Sequence, residues 1–423
     1  MSLLYKLTGA VLISCLLLTA CSSKQNELAT PVQEEMPEEG QTITIENPEV
    51  FTEQTSANKD EGKQYQIQTK LTDFHLFSEK AGIAWGSTRS ELRLYLTQNS
   101  GKTWTSISPA ASVQFPYHPK YNRDIFFIDE SHGWIVRNPV GSSDSIVLRT
   151  RDGGATWKIA SLPGSDKAAA IYFTDDTYGW ILAAKTYPDK EGKMLYQTED
   201  GGATWSKIMD SSSPTDEAHD HVLPNFGNEI SMVFRDRMNG YVSMISSGIP
   251  KLYVTDNGGI SWSEVQDFFS TTKYKSCKQF IAGDLQFFSN EPLNGWIPVG
   301  CVKEDATKFN GYYTADNGAS WSLAPFESFW QKGLNETLPP AFASSGEGWL
   351  LHNSKVYHTL DQGKNWTALP ESKVLVKILA EYPEVVKLRF SSAQVGWLLV
   401  AQSNQKRSLL LQTLDGGASW RVL

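Results

Sequence analysis

Seven acidic or amide side chains recur along the chain within one eight-residue phrase, T-x-[DN]-x-G-x-[ST]-W, whose sixth copy has Asn365 in the last polar position. Carboxylates in series could act as general acids and bases or bind calcium. All seven occupy the same position in the phrase, which favours a structural role in which each side chain closes a tight turn by accepting backbone hydrogen bonds. These residues are Asn99, Asp152, Asp200, Asn257, Asp316, Asp361 and Asp415.

Each phrase also has a glycine two positions after the acidic or amide residue and ends in a tryptophan. The glycine suits a backbone with positive φ. We expect the tryptophan to fold back between neighbouring sheets, where its burial is worth about 3 kcal/mol. The closing tryptophans recur every 45 to 59 residues, at Trp104, Trp157, Trp205, Trp262, Trp321, Trp366 and Trp420.

A second repeat, an apolar stretch followed by Gly-Trp or a near equivalent, precedes each copy of the phrase. A full unit reads as four short strands, rich in β-branched and aromatic residues and separated by turn residues. Repeats of this length are typical of propeller blades. The sequence therefore predicts an all-β fold, a seven-bladed β-propeller with four-stranded antiparallel blades. Residues 64–70 alternate like a strand and are a candidate partner for the last blade.

The N-terminal part of the chain differs in character from the repeats. Residues 1–20 read as a signal peptide, and they end in Leu-Thr-Ala-Cys, which resembles the lipobox of bacterial lipoproteins. We therefore expect a lipid on Cys21 and an extracytoplasmic protein anchored to the bacterial cell membrane. The alternative is ordinary cleavage that leaves a free thiol. Residues 21–63 are predicted to be an acidic, disordered tether, and residues 64–423 the propeller.

Charge supports this division. The chain has a net charge of −9, of which residues 22–61 contribute −8. Once Lys6 of the signal peptide is also set aside, residues 62–423 carry only −2. No basic run supplies phosphate neutralisation, so nucleic acid is not an expected partner.

The four cysteines fall into two pairs along the chain. Cys15 and Cys21 belong to the signal peptide and its processing site. Cys277 and Cys301 lie in the fifth unit, and an exported protein can keep such a pair oxidised. We predict a disulfide between them, with two separate buried thiols as the alternative.

Other candidates for chemistry are weaker. His219-Asp220-His221, with Asp216 and Glu217 nearby, has metal-ligand residue types, but no second cluster at ligand spacing follows, which favours a solvated polar loop. The chain has no G-x-S-x-G elbow, no H-E-x-x-H and no Gly-rich phosphate loop. We therefore predict no catalytic residues, no metal and no cofactor.

The long, irregular connections between units are the expected carriers of binding, because long loops on a rigid scaffold often recognise partners. One contains Phe326, Phe329 and Trp330, of which Trp330 is the one tryptophan outside both repeats. Another contains Tyr117 and Tyr121. Such aromatics anchor protein interfaces or stack on sugars. The alternative is a loop folded over the tops of the blades.

The eight-residue phrase resembles the Asp-box, or BNR, repeat of sialidases and some endoglucanases. Sialidases of that kind carry an Arg-Ile-Pro signature, whereas here Gly248 precedes Ile249-Pro250. Asp-box xyloglucanases resemble two such propellers, and this chain has one. A glycoside hydrolase also needs a pair of carboxylates that the sequence does not single out.

Over residues 70–423, the units resemble the photosystem II stability and assembly factor family. That resemblance implies a single, extracytoplasmic, often lipid-anchored propeller that binds membrane-protein intermediates without catalysis. The expected function is thus a protein-binding scaffold or assembly factor for an envelope or membrane protein. A carbohydrate-binding propeller that recognises a cell-surface glycan is the alternative, and an Asp-box glycoside hydrolase is a weaker one.

Overall fold

The computed structural model describes residues 45–46 and 69–423, except for short gaps at 89–90, 111, 116, 139–143, 165, 188–189, 213–220, 267, 275 and 333–337. The predicted signal peptide, Cys21 and nearly all of the predicted tether lie outside the described residues. So do His219 and Asp220, while the neighbouring His221 is exposed.

Seven antiparallel sheets, one for each blade, follow one another along the chain, and consecutive strands pair within each sheet, apart from additional pairings in the second and fifth sheets. The first strand of the chain is β1 (Ile45–Glu46). Blade one contains β2 (Leu71–Leu76), β3 (Gly82–Thr88), β4 (Glu91–Thr97) and β5 (Thr105–Ser106), and blade two contains β6 (Ile125–Phe127), β7 (Gly133–Arg137), β8 (Ile146–Thr150) and β9 (Thr156–Ser161). Blade three contains β10 (Lys167–Phe173), β11 (Gly179–Tyr187), β12 (Lys190–Thr198) and β13 (Ser206–Asp210).

Blade four contains β14 (Asn228–Phe234), β15 (Gly240–Ser246), β16 (Ile249–Thr255) and β17 (Ser263–Glu264). Blade five contains β18 (Gln279–Ala282), β19 (Gln286–Phe288), β20 (Glu291–Lys303), β21 (Ala306–Thr314), β22 (Ser322–Ala324) and β23 (Gln331–Lys332). Blade six contains β24 (Ala341–Phe342), β25 (Gly348–His352), β26 (Lys355–Thr359) and β27 (Thr367–Ala368), and blade seven contains β28 (Glu384–Phe390), β29 (Gly396–Ala401), β30 (Ser408–Thr413) and β31 (Arg421–Val422). First strands of neighbouring blades contact each other, as β10 does with β6 and β14, and β28 with β24 and β2, which places these strands around the axis. The prediction of a seven-bladed propeller is confirmed.

The eight-residue phrase forms the turn between the third and fourth strands of each blade. In blade two, Asp152 Oδ1 accepts hydrogen bonds from Thr156 N at 2.9 Å and from Thr150 Oγ1 at 2.8 Å. Its Oδ2 accepts one from Thr156 Oγ1 at 2.6 Å, and Thr150 Oγ1 accepts one from Gly154 N at 2.8 Å. Both carboxylate oxygens are therefore occupied by the turn itself, as expected of a structural residue.

The residue just before the glycine of the phrase links this turn to the rest of the blade. It has a positive φ in all seven copies, including Ser100, Asn317 and Gln362, which are not glycine. In every blade its N–H donates to a carbonyl in the turn between the first and second strands, at 2.7 to 3.0 Å. The two turns of each blade therefore lie on the same side of the propeller, which we call the turn face. The opposite side, formed by the connections between blades and the loops between second and third strands, is the loop face.

The carbonyl of that same residue joins neighbouring blades. Trp134 Nε1 donates to Gly201 O at 2.8 Å, and Trp180 Nε1 donates to Gly258 O at 2.9 Å. Trp349 makes the equivalent bond to Gly416 O at 2.8 Å. In blades two, three and six, the tryptophan of the second repeat thus connects its blade to the turn of the next one.

Aromatic stacking fills the same interfaces. The ring of Trp180 stacks on Phe234 with centroids 3.6 Å apart, and Trp262 meets that phenylalanine edge-on at 6.1 Å. The glycine of the second repeat makes room for the phenylalanine opposite it, because a Cβ at Gly179 would lie 2.3 Å from the ring of Phe173. The core of the propeller is therefore a series of aromatic layers between blades.

Ring closure brings blade seven against blade one without a shared strand. Gln412 Nε2 donates to Ser100 O at 3.2 Å, and Ser408 Oγ accepts a hydrogen bond from Leu71 N at 2.7 Å. Trp397 packs against Phe74 and Trp104, with ring centroids 5.8 and 5.7 Å away. Thr69 and Lys70 are not part of a strand, so the described end of the expected closing strand is not paired; residues 64–68 lie outside the described residues.

Three short elements add to the loops and edges of the propeller. Strand β1 pairs with the outer strand of blade two, Ile45 opposite Trp157, where the sequence predicts a spacer without structure. The one α-helix of the described ranges, α1 (Lys373–Glu381), lies in the connection between blades six and seven and buries Leu375 and Leu379. A single 3-10 turn spans Thr271–Tyr274.

Candidate functional site

A groove on the loop face lies between blades six and seven, beside Trp330. The indole of Trp330 is 41% exposed, and the adjoining cavity has a volume of about 420 Å³. The groove is lined by the segment before β23, the hairpin between β25 and β26, α1 and the start of β28. Its volume lies in the range of small-ligand and peptide-anchor pockets.

The three aromatic residues of this connection have different roles. Phe326 is buried and packs between Phe342 and Trp366, with ring centroids 5.7 and 6.1 Å away. The prediction that Phe326 belongs to a binding face is therefore wrong: it fills the space beside the tryptophan of blade six. Phe329 stacks on His352 at 4.4 Å and orders the edge of the groove. Trp330 remains open to solvent.

The polar lining of the groove is neutral apart from one lysine. Burial lowers the pKa of His352, so its imidazole is uncharged at neutral pH, and its Nε2 lies 3.0 Å from Asn353 Nδ2. Asn353 and Ser354 both adopt positive φ, 48° and 61°, and serine tolerates this conformation less well than glycine. Lys332 pairs with Asp305 at 3.1 Å. The groove thus offers an aromatic platform, neutral hydrogen-bonding groups and an apolar floor.

The two tyrosines of the other predicted cluster hold the connection between blades one and two in place. The hydroxyl of Tyr117 accepts a hydrogen bond from Asn138 N at 2.8 Å, and burial, followed by the nearby Asp124, raises its pKa to about 12. Tyr121 stacks on His75 at 3.7 Å and donates to Phe127 O at 2.9 Å. The expectation that Tyr121 presents a binding surface on the loop face is wrong, because its half-buried ring is stacked between His75 and Phe126.

A charged cluster on the axis was not predicted from the sequence. Lys387 Nζ lies 2.7 Å from Asp73 Oδ1, and Arg389 Nη1 donates to Gln286 Oε1 at 2.6 Å. Asp284 is exposed to solvent, yet desolvation by the protein around it raises its pKa. The signal available in the sequence was the alternation of charged and apolar residues in the first strands, as in Lys387-Leu-Arg-Phe390.

Enclosure also affects His75, which faces this cluster. Burial, reinforced by the charges of Lys387 and Arg389, holds the pKa of His75 well below its usual range. Two acids and two bases of the cluster, Asp73 and Asp284 with Lys387 and Arg389, balance in charge. The cluster connects blades one, five and seven through side chains rather than through strands.

The other predicted site residues can now be located. Cys277 and Cys301 form a disulfide with their Cα atoms 5.4 Å apart. Within residues 69–423, gaps aside, no group of three or more His, Cys, Asp or Glu is arranged to hold a metal ion. None of the helices that the structure describes is long and apolar enough to span a membrane.

Comparison with known proteins adds sequence similarity to this geometry. The family model of Sortilin-Vps10 (sortilin, neurotensin receptor 3) matches residues 92–247, from the third strand of blade one to the end of the second strand of blade four. The chain is 23% identical over 309 residues to the photosystem II stability/assembly factor HCF136 of Arabidopsis thaliana, covering 70% of this chain and 66% of that protein. The factor of the same name from Oryza sativa is 25% identical over 217 residues, covering 49% of this chain and 44% of that protein.

The fold itself occurs in enzymes as well. A xyloglucanase from Xanthomonas campestris superposes with a TM-score of 0.50 at 14% identity, covering 83% of this chain and 54% of that one. This likeness concerns the fold alone. The alignments also leave at least a third of each assembly factor unmatched. The chain is a seven-bladed β-propeller that is similar in sequence to photosystem II stability/assembly factors.

Proposed function

We propose that this chain is a non-catalytic assembly factor, tethered to a membrane at its N-terminus, which binds an envelope protein through its loop face. The observation that carries the proposal is the similarity to photosystem II stability/assembly factors, which extends over 309 residues. Because 309 residues are several times the length of one repeat, the similarity involves several units and not one motif.

The groove beside Trp330 is the surface we assign to the partner. A partly exposed tryptophan beside a cavity with an apolar floor can bury a large area of a partner side chain at small entropic cost. Phe329 and His352 fix one wall, and the buried α1 residues Leu375 and Leu379 support another. The site is thus rigid before binding, which lowers the cost of association.

Membrane tethering rests on the sequence pattern that ends in Cys21. A coil of about 40 residues has a root-mean-square reach of roughly 35 Å. That reach lets the loop face meet the extracytoplasmic part of a membrane protein close to the anchor.

The test is crosslinking in intact cells, with the tagged full chain recovered together with its partners. Trp330→Ala is compared with Phe226→Ala, which removes an even more exposed aromatic ring from a different loop-face connection. We expect one envelope protein complex with the parent and with Phe226→Ala, and at least tenfold less of it with Trp330→Ala. Equal recovery from all three chains would contradict the assignment to the groove.

A carbohydrate-binding role is the second candidate, and the neutral lining of the groove favours it. Imidazole, amide and hydroxyl groups around an indole suit sugar hydroxyls and the apolar face of a pyranose. Retention of the parent, but not of Trp330→Ala, on a column of wall or capsule glycan would support this role. Co-purification of glycan without any protein partner would replace the assembly proposal with it.

A further inference from the structure

The turn face carries a strong negative charge that the overall composition conceals. Each blade contributes two turns to this face: the residues between the Gly of the second repeat and the strand just before it (β2, β6, β10, β14, β19, β24 or β28), and the residues between the Thr and Trp of the phrase. They include fifteen Asp or Glu against six Lys or Arg, a net charge of −9. Residues 62–423 as a whole carry −2, so the rest of the propeller carries +7.

Hydrogen bonds within the turns lower the pKa of several of these carboxylates, including Asp152, Asp200 and Asp316. Ser320, through its side chain and its backbone, lowers the pKa of Asp316 to about 2. Burial by itself would raise the pKa values of Asp152 and Asp200. Hydrogen bonds from Thr156 and Thr204 outweigh it and hold both pKa values below the usual range. The negative charge of the face is therefore present over the whole range in which most proteins are folded.

Large apolar side chains stand out from this acidic surface. Five of them are exposed by 51 to 72%: Met238, Ile260, Leu293, Leu360 and Leu414. Soluble proteins do carry single exposed apolar residues, so one alone would mean little. Here five lie on the turns of four consecutive blades, and no described residue covers them.

Three of the five are linked through neighbouring turns of blades four and five. Met238 O accepts a hydrogen bond from Gly258 N at 2.8 Å, two residues before Ile260. From the turn of Met238, the Arg235 guanidinium reaches Pro292 O at 2.6 Å, next to Leu293. Leu360 and Leu414 occupy the same position of the phrase in the next two blades. The apolar side chains therefore follow part of the ring.

We propose that the turn face is a second docking surface, which binds a polypeptide segment that is both basic and rich in large apolar side chains. The apolar residues supply area to bury, and the surrounding acidic residues select a cationic partner by charge complementarity. This goes beyond the proposed function, which assigns a partner only to the loop face.

Charge decides between possible occupants. An anionic membrane surface or a nucleic acid would be repelled by a face of net charge −9. A second copy of the chain packed turn face to turn face would bring two such surfaces together. A small cation would leave the apolar side chains uncovered. A basic, apolar polypeptide satisfies both features at once.

The experiment measures binding of fluorescent synthetic peptides to the purified full chain. One peptide combines lysine with leucine, and the other has the same number of lysines combined with serine. The test variant replaces Ile260, Leu293, Leu360 and Leu414 together with serine. The control variant, Phe226→Ser with Val374→Ser, removes exposed apolar side chains from the loop face. Thermal unfolding first establishes that both variants keep the parent's stability.

We expect the parent to bind the lysine–leucine peptide at least about tenfold more tightly than the lysine–serine peptide, because burying one leucine can supply that factor. The turn-face variant should bind the two peptides within about twofold of each other, and the control variant should behave like the parent. A photo-crosslinker at position 360 should capture the lysine–leucine peptide, and one at position 226 should not. Equal binding of both peptides by the parent, equal losses in both variants, or capture only at position 226 would overturn the proposal.

Discussion

The turn face repeats one set of contacts seven times, whereas the loop face is built differently at each blade. On the turn face, the same backbone N–H reaches the same neighbouring turn in every blade. On the loop face, one connection contains a helix, another is joined to strand β20 by a disulfide, and a third stacks Tyr121 on His75. The repeated contacts of the turn face are therefore the ones that hold the blades together. The groove forms on the loop face, where each connection is built differently.

The same difference extends to solvent-exposed groups. On the loop face, the groove around Trp330 is concave and has an apolar floor, and its polar lining contains one charged side chain, Lys332. The turn face is an acidic surface with apolar side chains projecting from short turns. A structural role and a recognition role can therefore coexist on the turn face, because the turn uses backbone groups and the Asp oxygens while other positions of the phrase remain variable.

The largest expected effect is on the repeated contacts. Replacing Trp180 by alanine removes a fully buried ring stacked on Phe234 and the donor to Gly258 O. We expect the free energy of unfolding to fall by about 3–5 kcal/mol, as measured by chemical denaturation. A loss below about 1 kcal/mol would show that the tryptophans do not hold the blades together.

The disulfide is the strongest single constraint that we expect on the loop face. Cys277 and Cys301 are 24 residues apart. A disulfide that closes a loop of this length restricts the unfolded chain and so raises the free energy of unfolding by about 3 kcal/mol. The double variant Cys277→Ser, Cys301→Ser should lose roughly that much stability under oxidising conditions. Under reducing conditions the parent should approach the variant, and a persistent difference between them would point to the serines themselves.

Opposite ends of the pH scale should probe the two faces. The folded-state pKa of Asp316, about 2, lies below the unfolded value of about 3.9. Its stabilising contribution is thus present above about pH 4 and is lost as pH falls toward 2. Asp316→Asn should flatten the acid limb of a melting-temperature profile, since Asn99 and Asn257 already serve in equivalent turns. An acid limb identical to the parent's would contradict this assignment.

Tyr117 gives the alkaline counterpart on the loop face. Its folded-state pKa of about 12 lies above the unfolded value of about 10, so its contribution is complete below pH 10 and is lost as pH rises through 12. Tyr117→Phe should therefore flatten the alkaline limb and leave the acid limb unchanged. A change in the acid limb as well would show that removing the Tyr117 hydroxyl alters the titration of carboxylates such as Asp316 on the turn face.

The smallest expected effect on stability is at the groove. Trp330→Ala removes a partly exposed ring, so the free energy of unfolding should change by no more than about 0.5–1 kcal/mol, while partner recovery falls. This outcome would separate recognition from structure. A loss comparable to that of Trp180→Ala would instead make Trp330 part of the core.

Much of the fold was readable because its signals are local. The side chains of Thr150, Asp152 and Thr156 bond to each other and to Gly154 within one turn, so eight residues specify the turn wherever it occurs. The phenylalanine opposite the Gly of the second repeat is a short-range signal of the same kind. Seven copies of the eight-residue phrase and of the Gly-Trp repeat were enough to predict seven blades and to identify most tryptophans as core residues.

The sites depended on contacts between distant parts of the chain. Lys387 meets Asp73 across 314 residues, and Arg389 meets Gln286 across 103, so no local pattern could pair them. Phe326 and Trp330 are four positions apart in one loop, yet neighbouring side chains bury Phe326 and leave Trp330 partly exposed. The sequence by itself determined the blade number and the chemistry of the turns, because each turn is complete within itself. The tertiary structure alone decided which face gathers charge, which ring stays exposed and where a groove forms, because exposure depends on what the rest of the ring places nearby.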